Sequence, residues 1–166
     1  MKSMQKRIEI VGNYLEKVAL SPEIKQFYES RSILVTGGAG AVGSNLIIAL
    51  SSLVGEKGKI VVLDNLSSIK EKNPWNVAPL PNIMFVEGDV RSDIDLKRVF
   101  KEDISIVYHL AAFFANQNSI DYPEISADVD ILGHIRLLEY SRLAKVEKFV
   151  YASSGCAIYG SFPKLP

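Results

Sequence analysis

The feature that most constrains this chain is a cluster of glycines wedged between two apolar runs. Ile33-Leu34-Val35-Thr36 leads straight into Gly37-Gly38-Ala39-Gly40-Ala41-Val42-Gly43-Ser44, and that leads straight into Asn45-Leu46-Ile47-Ile48-Ala49-Leu50. A β-forming run, a glycine turn and a helix-forming run in direct succession read as strand, tight turn and helix. Glycines at this spacing let the backbone turn sharply and approach an anionic group, and the last one lets the new helix pack closely on the strand. The N-terminus of that helix then offers unsatisfied N–H groups and a partial positive charge to a phosphate. Gly38, Gly40 and Gly43 satisfy G-x-G-x-x-G, and Gly37, Gly40 and Gly43 satisfy the wider G-x-x-G-x-x-G, both patterns of dinucleotide binding.

A glycine pattern alone is weak, but here the next apolar run, Lys59-Ile60-Val61-Val62-Leu63-Asp64, ends in an acid. A carboxylate about twenty residues beyond the last glycine is where a ribose hydroxyl is bound. It accepts hydrogen bonds from a 2′-hydroxyl and repels a 2′-phosphate, so Asp64 favours NAD over NADP. With 166 residues, 48% of them apolar, the chain can bury a core. Its formal net charge of zero gives no footprint for nucleic acid or an anionic membrane. The single Cys156 excludes an internal disulfide, no metal-ligand cluster is evident, and no secretory signal opens the chain, so the cytoplasm is expected.

Residues 1–30 read as a helical N-terminal extension to a domain over 31–166. Ile8, Val11, Leu15 and Val18 recur at helical spacing, and Ser21-Pro22-Glu23 reads as the cap and first turn of a second helix with Ile24, Phe27 and Tyr28 on its apolar face. After Asp64 a long connection reaches to about Pro81, through Pro74, Trp75 and Pro79. Strands are expected at 83–87, 104–110 and 148–152, with a short helix capped by Ser92 and a long one from about Ser126 to Ala144. The long helix carries an apolar stripe of Val129, Leu132, Ile135, Leu138 and Leu143. His109, at the end of the fourth strand, has no acidic or metal-ligand companion and is expected to be a buried, hydrogen-bonded structural residue. Strands alternating with helices predict an α/β fold: a doubly wound parallel Rossmann sheet of order 3-2-1-4-5.

In this order, the glycine loop of Thr36–Ser44, Leu63-Asp64-Asn65-Leu66-Ser67, Gly88-Asp89-Val90, Tyr108-His109-Leu110-Ala111-Ala112, Leu132-Gly133 with Leu137-Leu138-Glu139, and Val150-Tyr151-Ala152-Ser153-Ser154 through Tyr159-Gly160 resemble the extended short-chain dehydrogenase/reductases. Among these the similarity is to NAD-dependent nucleotide-sugar epimerases and dehydratases, and it covers about residues 31 to 160. The resemblance implies NAD as cofactor, a nucleotide-sugar substrate and a homodimer. It implies that Gly37, Gly40, Ala41 and Val42 line the pyrophosphate turn, and that Asp64, Asn65, Leu66 and Ser67 hold the adenosine ribose. Asp89 and Val90 flank the adenine, Asp89 reaching its amine, and Leu110, Ala111 and Ala112 run beside the nicotinamide-side ribose. Where the family usually has an asparagine, three residues before the glycine of the following helix, this chain has Asp130.

The resemblance also implies a catalytic Ser or Thr just past the fifth strand. The commonest position falls on Gly155, and a variant pattern places the hydroxyl on Ser154, which is the candidate here. The family's general base, a tyrosine followed four places later by lysine, has no match: Tyr140 is followed by Ala144 and Tyr159 by Pro163. The expectation is therefore a NAD-binding portion of a nucleotide-sugar enzyme, a truncated Rossmann domain without its substrate domain, that does not turn over by itself. An edge left open at the fifth strand is expected to favour association. Two alternatives remain: a catalytically silent module that senses NAD or scaffolds a partner, and an NADP-preferring reductase of the same fold, against which Asp64 speaks.

Overall fold

In a computed structural model, which describes residues 2–68 and 76–154, the apolar run before the glycines forms β1 (Ser32–Thr36). It is the middle strand of a five-stranded sheet with β2 (Lys59–Asp64), β3 (Ile83–Glu87), β4 (Ile106–His109) and β5 (Lys148–Tyr151). The order is β3-β2-β1-β4-β5 and every pairing is parallel, as the alternation of elements predicts. β4 and β5 are shorter than the runs that suggested them. In register, Thr36 stands between Leu63 and His109, so the ends of β1, β2 and β4 finish level at one edge of the sheet.

Successive side chains of a strand point to opposite faces, and the core divides accordingly. Ile33, Val35, Ile60, Val62 and Ile106 face α3 (Gly43–Val54), whose Ile47, Ile48, Leu50 and Val54 are buried against them. Leu34, Val61, Leu63, Val86 and Val107 face the other way, onto Leu96 and Val99 of α4 (Asp93–Val99) and Leu137 of α7 (His134–Leu143). Strands buried on both faces read as continuous apolar runs, and β1 and β2 do so because helices cover both sides.

Two helices precede β1: α1 (Lys2–Val18) and α2 (Pro22–Tyr28). Ser21 Oγ accepts from the Ile24 amide at 3.4 Å, and Pro22 stands at the first helical position. Met4, Ile8, Val11, Phe27 and Tyr28 pack against the face shared with α3, whereas Ile24 and Val18 stay exposed. Ser92 caps α4 by accepting from the Asp95 amide at 3.2 Å, and Asp95 Oδ2 accepts from the Asp89 amide at 3.0 Å.

The long helix differs from its expected form. α5 (Asn116–Asp121) and α6 (Pro123–Ser126) lead into a π-helical stretch, Ala127–Gly133, and only then into α7. The wider turn rotates the succeeding residues relative to an α-helical count. Gly133, Leu137 and Ser141 therefore face the sheet, while Leu132, Ile135, Leu138 and Leu143 of the expected stripe are exposed and Val129 packs only partly against the core. Pro74 and Trp75, and Gly155 through Pro166 with Cys156 and Tyr159, lie outside the described residues.

Candidate functional site

β1 delivers the chain to the sheet edge, where the glycines turn it into α3. Gly37 takes φ +70°, and a Cβ on it would stand 2.7 Å from the Ala111 amide nitrogen, so the loop passes directly against the segment leaving β4. A Cβ on Gly43 would stand 2.3 Å from the Gly37 carbonyl oxygen, closer than real Cβ atoms come. The two positions hold the first turn of α3 down on the loop. α3 has no side-chain cap. Among the described residues the amides of Ala41, Val42 and Gly43 have no protein acceptor, and Ala41 and Val42 are exposed. Three free N–H groups at a helix N-terminus, where the dipole is positive, make a cradle for an anionic group such as a pyrophosphate.

Asp64 closes β2 beside this cradle. Its Oδ2 accepts from the Ala39 amide at 2.9 Å and its Oδ1 from the Leu66 amide at 2.8 Å. A carboxylate oxygen has two lone-pair sites, so one acceptor direction on each oxygen is left for the hydroxyls of a ribose. Asn65 Oδ1 accepts from the Ser67 amide at 3.0 Å, and Leu66, at φ +55°, turns its side chain into the core. Asn65 and Ser67 are exposed around the same corner.

Asp89 is more heavily engaged than its expected role requires. Oδ1 accepts from the Arg91 amide and Nε, and Oδ2 from Arg91 Nη2 and Asn65 Nδ2, all between 2.8 and 3.0 Å. Every lone-pair site is thus occupied by the protein. Partial burial pushes the Asp89 carboxyl up, but the hydrogen bonds and charge of Arg91, with Asn65, outweigh it and hold it at about 2. The stability this contributes is present above the ordinary aspartate range and is lost as pH falls toward 2. Val90 sits in the core, 4% exposed, directly under Gly133; its side chain is a floor beneath the corner.

On the β4 side, Leu110 donates its amide to the Thr36 carbonyl at 3.1 Å, and Ala111 donates to Thr36 Oγ1 at 3.3 Å. Thr36 Oγ1 also shares a hydrogen bond with His109 Nδ1 at 2.6 Å. His109 is 2% exposed, and its ring stacks on His134 at 5.1 Å. Burial, with the neighbouring His134, pushes its imidazole down to about 4, so it is neutral and structural, tying the ends of β1 and β4 together. Leu110, Ala111 and Ala112 consequently run over the glycine loop, Ala112 exposed. Ser154 is exposed beyond the end of β5, at the same sheet edge.

Asp130 Oδ1 accepts from the Phe113 amide at 2.8 Å and Oδ2 from Ser126 Oγ at 2.9 Å. It clasps the π-helical stretch to the segment leaving β4. Three residues not anticipated from sequence also hold the site: Arg91, through its bonds to Asp89; Asn76, whose Nδ2 donates to the Ala39 carbonyl at 3.2 Å; and Arg7 of α1, at the first turn of α3. A groove of ≈ 730 Å³ lined by Ser51, Lys57, Pro81 and Asn82 lies at the opposite end of the sheet and has no part in this site. Among the described residues no group of three or more His, Cys, Asp or Glu could hold a metal, and no helix is long and apolar enough to cross a membrane.

This geometry coincides with a sequence match of residues 33–166 to the NAD dependent epimerase/dehydratase family. A UDP-glucose 4-epimerase of Mycolicibacterium smegmatis is 37% identical over 134 residues, covering 80% of this chain and 42% of the relative. The solved structure of epimerase Mth375 from Methanothermobacter thermautotrophicus superposes with a TM-score of 0.78 at 49% identity, covering 87% of this chain and 41% of that one. Thermus thermophilus UDP-glucose 4-epimerase, solved in complex with NAD, gives a TM-score of 0.65 at 36% identity, covering 80% and 40%. The chain thus spans about two fifths of the length of these relatives. With the fold, the glycine cradle and the family match in agreement, this chain is a member of the NAD dependent epimerase/dehydratase family.

Proposed function

We propose that this chain is the NAD-binding portion of a nucleotide-sugar epimerase or dehydratase. The observation that carries the reading is the set of free amides of Ala41, Val42 and Gly43 at the uncapped start of α3, with the Asp64 carboxylate at the neighbouring strand end. The free amides of Ala41, Val42 and Gly43, presented by the turn through Gly37 and Gly40, hold the pyrophosphate, and Asp64 takes the adenosine ribose hydroxyls, with Asn65, Leu66 and Ser67 forming the corner. Asp89 meets the adenine amine only by exchanging one of its present hydrogen bonds, above a floor supplied by Val90. Leu110, Ala111 and Ala112 line the nicotinamide-side ribose.

When bound, NAD supplies an acceptor for hydride, which permits transient oxidation of a sugar ring carbon. The contribution of this chain to that chemistry is to orient and to exclude water. Ser154, exposed at the mouth, donates a hydrogen bond to the reacting sugar oxygen. Removing the hydroxyl proton needs a general base, and no tyrosine of this sequence is followed four places later by lysine. The 166 residues are accordingly proposed to bind NAD without turnover. The exposed Leu132, Ile135, Leu138 and Leu143 support a homodimer through this helix face.

Calorimetric titration of the chain with NAD and with NADP tests the cofactor assignment. NAD is expected to bind at least about tenfold more tightly, and Asp64→Asn is expected to narrow the gap by removing the charge that repels a 2′-phosphate. Absence of NAD binding, or equal affinity for both nucleotides, would overturn it. Product formation from nucleotide sugars by the 166 residues alone would overturn the proposed division of labour.

A further inference from the structure

α1 runs along α3 with its first turns at the ligand end: Met4, Ile8 and Val11 pack on the shared core, and Arg7 reaches the start of α3. Its Nη2 donates to Ser44 Oγ at 2.8 Å and to Asn45 Oδ1 at 3.1 Å. Both acceptors are fastened to one point. Asn45 Nδ2 donates to the Ala41 carbonyl at 2.9 Å, and Ser44 Oγ donates to the same carbonyl at 3.4 Å. A single guanidinium therefore braces the peptide whose amide side forms the anion cradle.

The electrostatics are informative. A cation beside the N-terminal turn of a helix sits at the positive end of the dipole, which is unfavourable by itself. Arg7 takes part in none of the ion pairs among the described residues, so no carboxylate among them is paired with it to relieve that placement. An anion in the cradle would relieve it, because the cradle and the side chains that hold the guanidinium belong to the same first turn of α3.

We propose that Arg7 is a positioning residue of the dinucleotide site, through which the N-terminal extension raises affinity for the diphosphate. It acts through Ser44 and Asn45, setting the Ala41–Gly43 amides, and through its charge. The inference rests on the reading that the glycine loop binds NAD.

The test is calorimetry on the full 166-residue chain with NAD, ADP-ribose and adenosine, at low and moderate salt. Arg7→Ala and Arg7→Gln are expected to weaken NAD and ADP-ribose by roughly five- to tenfold and to flatten the salt dependence, leaving adenosine unaffected. Arg7→Lys, which keeps the charge and packing stem, should recover most of the affinity and also serves if the other variants fold poorly. In a Ser44→Ala/Asn45→Ala background, Arg7→Gln should weaken NAD less than in the unmodified chain, because part of its effect is transmitted through those side chains. If the unmodified chain binds no NAD, the cofactor reading fails and takes this inference with it. If it binds NAD and a folded Arg7→Gln variant binds equally well, or if both Arg7→Ala and Arg7→Gln lose thermal stability alone, only the role of Arg7 is overturned.

Discussion

At position 43 there is no room for a side chain. Its Cβ would meet the Gly37 carbonyl oxygen at 2.3 Å and the Gly38 Cα at 2.7 Å, both backbone atoms that cannot swing away. Gly43→Ala must therefore lift the first turn of α3 off the loop. The expected result is loss of NAD binding by at least about a hundredfold and destabilisation of about 2–4 kcal/mol, read by calorimetry and urea denaturation. His109 gives a second test at this scale. Its folded-state value of about 4 lies below the ordinary 6.5, so the unfolded chain takes up a proton first as pH falls. The stability associated with the neutral, buried ring is whole above pH 6.5 and is lost progressively down to about pH 4. The loss should be about 3 kcal/mol, and a His109→Gln variant should show a flatter stability profile across that window.

Asp130 does its work at the level of elements. Its two oxygens join Ser126, Phe113 and the π-helical stretch, and the segment it holds is the one that passes over the glycine loop. Asp130→Ala leaves the Phe113 amide unpaired and is expected to cost about 1–3 kcal/mol, with weaker protection of the residue 110–113 amides in hydrogen exchange. Asp130→Asn keeps one acceptor for Phe113 and should recover part of that loss. The elements themselves were largely legible in the chain. Caps such as Ser21 and Ser92 act over three residues, and the runs of β1 and β2 are apolar because both faces are covered. The π-helical turn was not legible, since an α-helical count over Val129–Leu143 presumes an unbroken period. Nor were Arg7, Asn76 and Arg91 as site residues. Arg7 and Asn76 reach their places through tertiary contact, Asn76 with Ala39 across 37 positions and Arg7 with Asn45 across 38, whereas Arg91 bonds Asp89 two residues away while also reaching Asp128 across 37. Asp89 illustrates the difference in kind, because its position followed from the pattern while its occupancy by Arg91 followed only from geometry.

For the molecule as a whole, the strand order places β1 between neighbours whose connections leave toward opposite faces, and the crevice at that divide is where ligands of such sheets bind. The same order splits the interior. Ile47 on α3 and Leu96 on α4 are both fully buried, yet they belong to different side-chain clusters separated by the sheet. Each truncation to Ala should cost about 2–5 kcal/mol. The double variant should equal the sum of the singles within about 0.5 kcal/mol, a result that denaturation curves of the four proteins would check. Partitioning of this kind bears on how such a chain can change over time. The sheet acts as a septum, so substitutions that repack the α3 face under the glycine loop need no compensating change beneath α4 and α7. One side can drift while the other keeps its fit, and the strand ends proposed to carry the ligand contacts are held in place by backbone hydrogen bonds common to both.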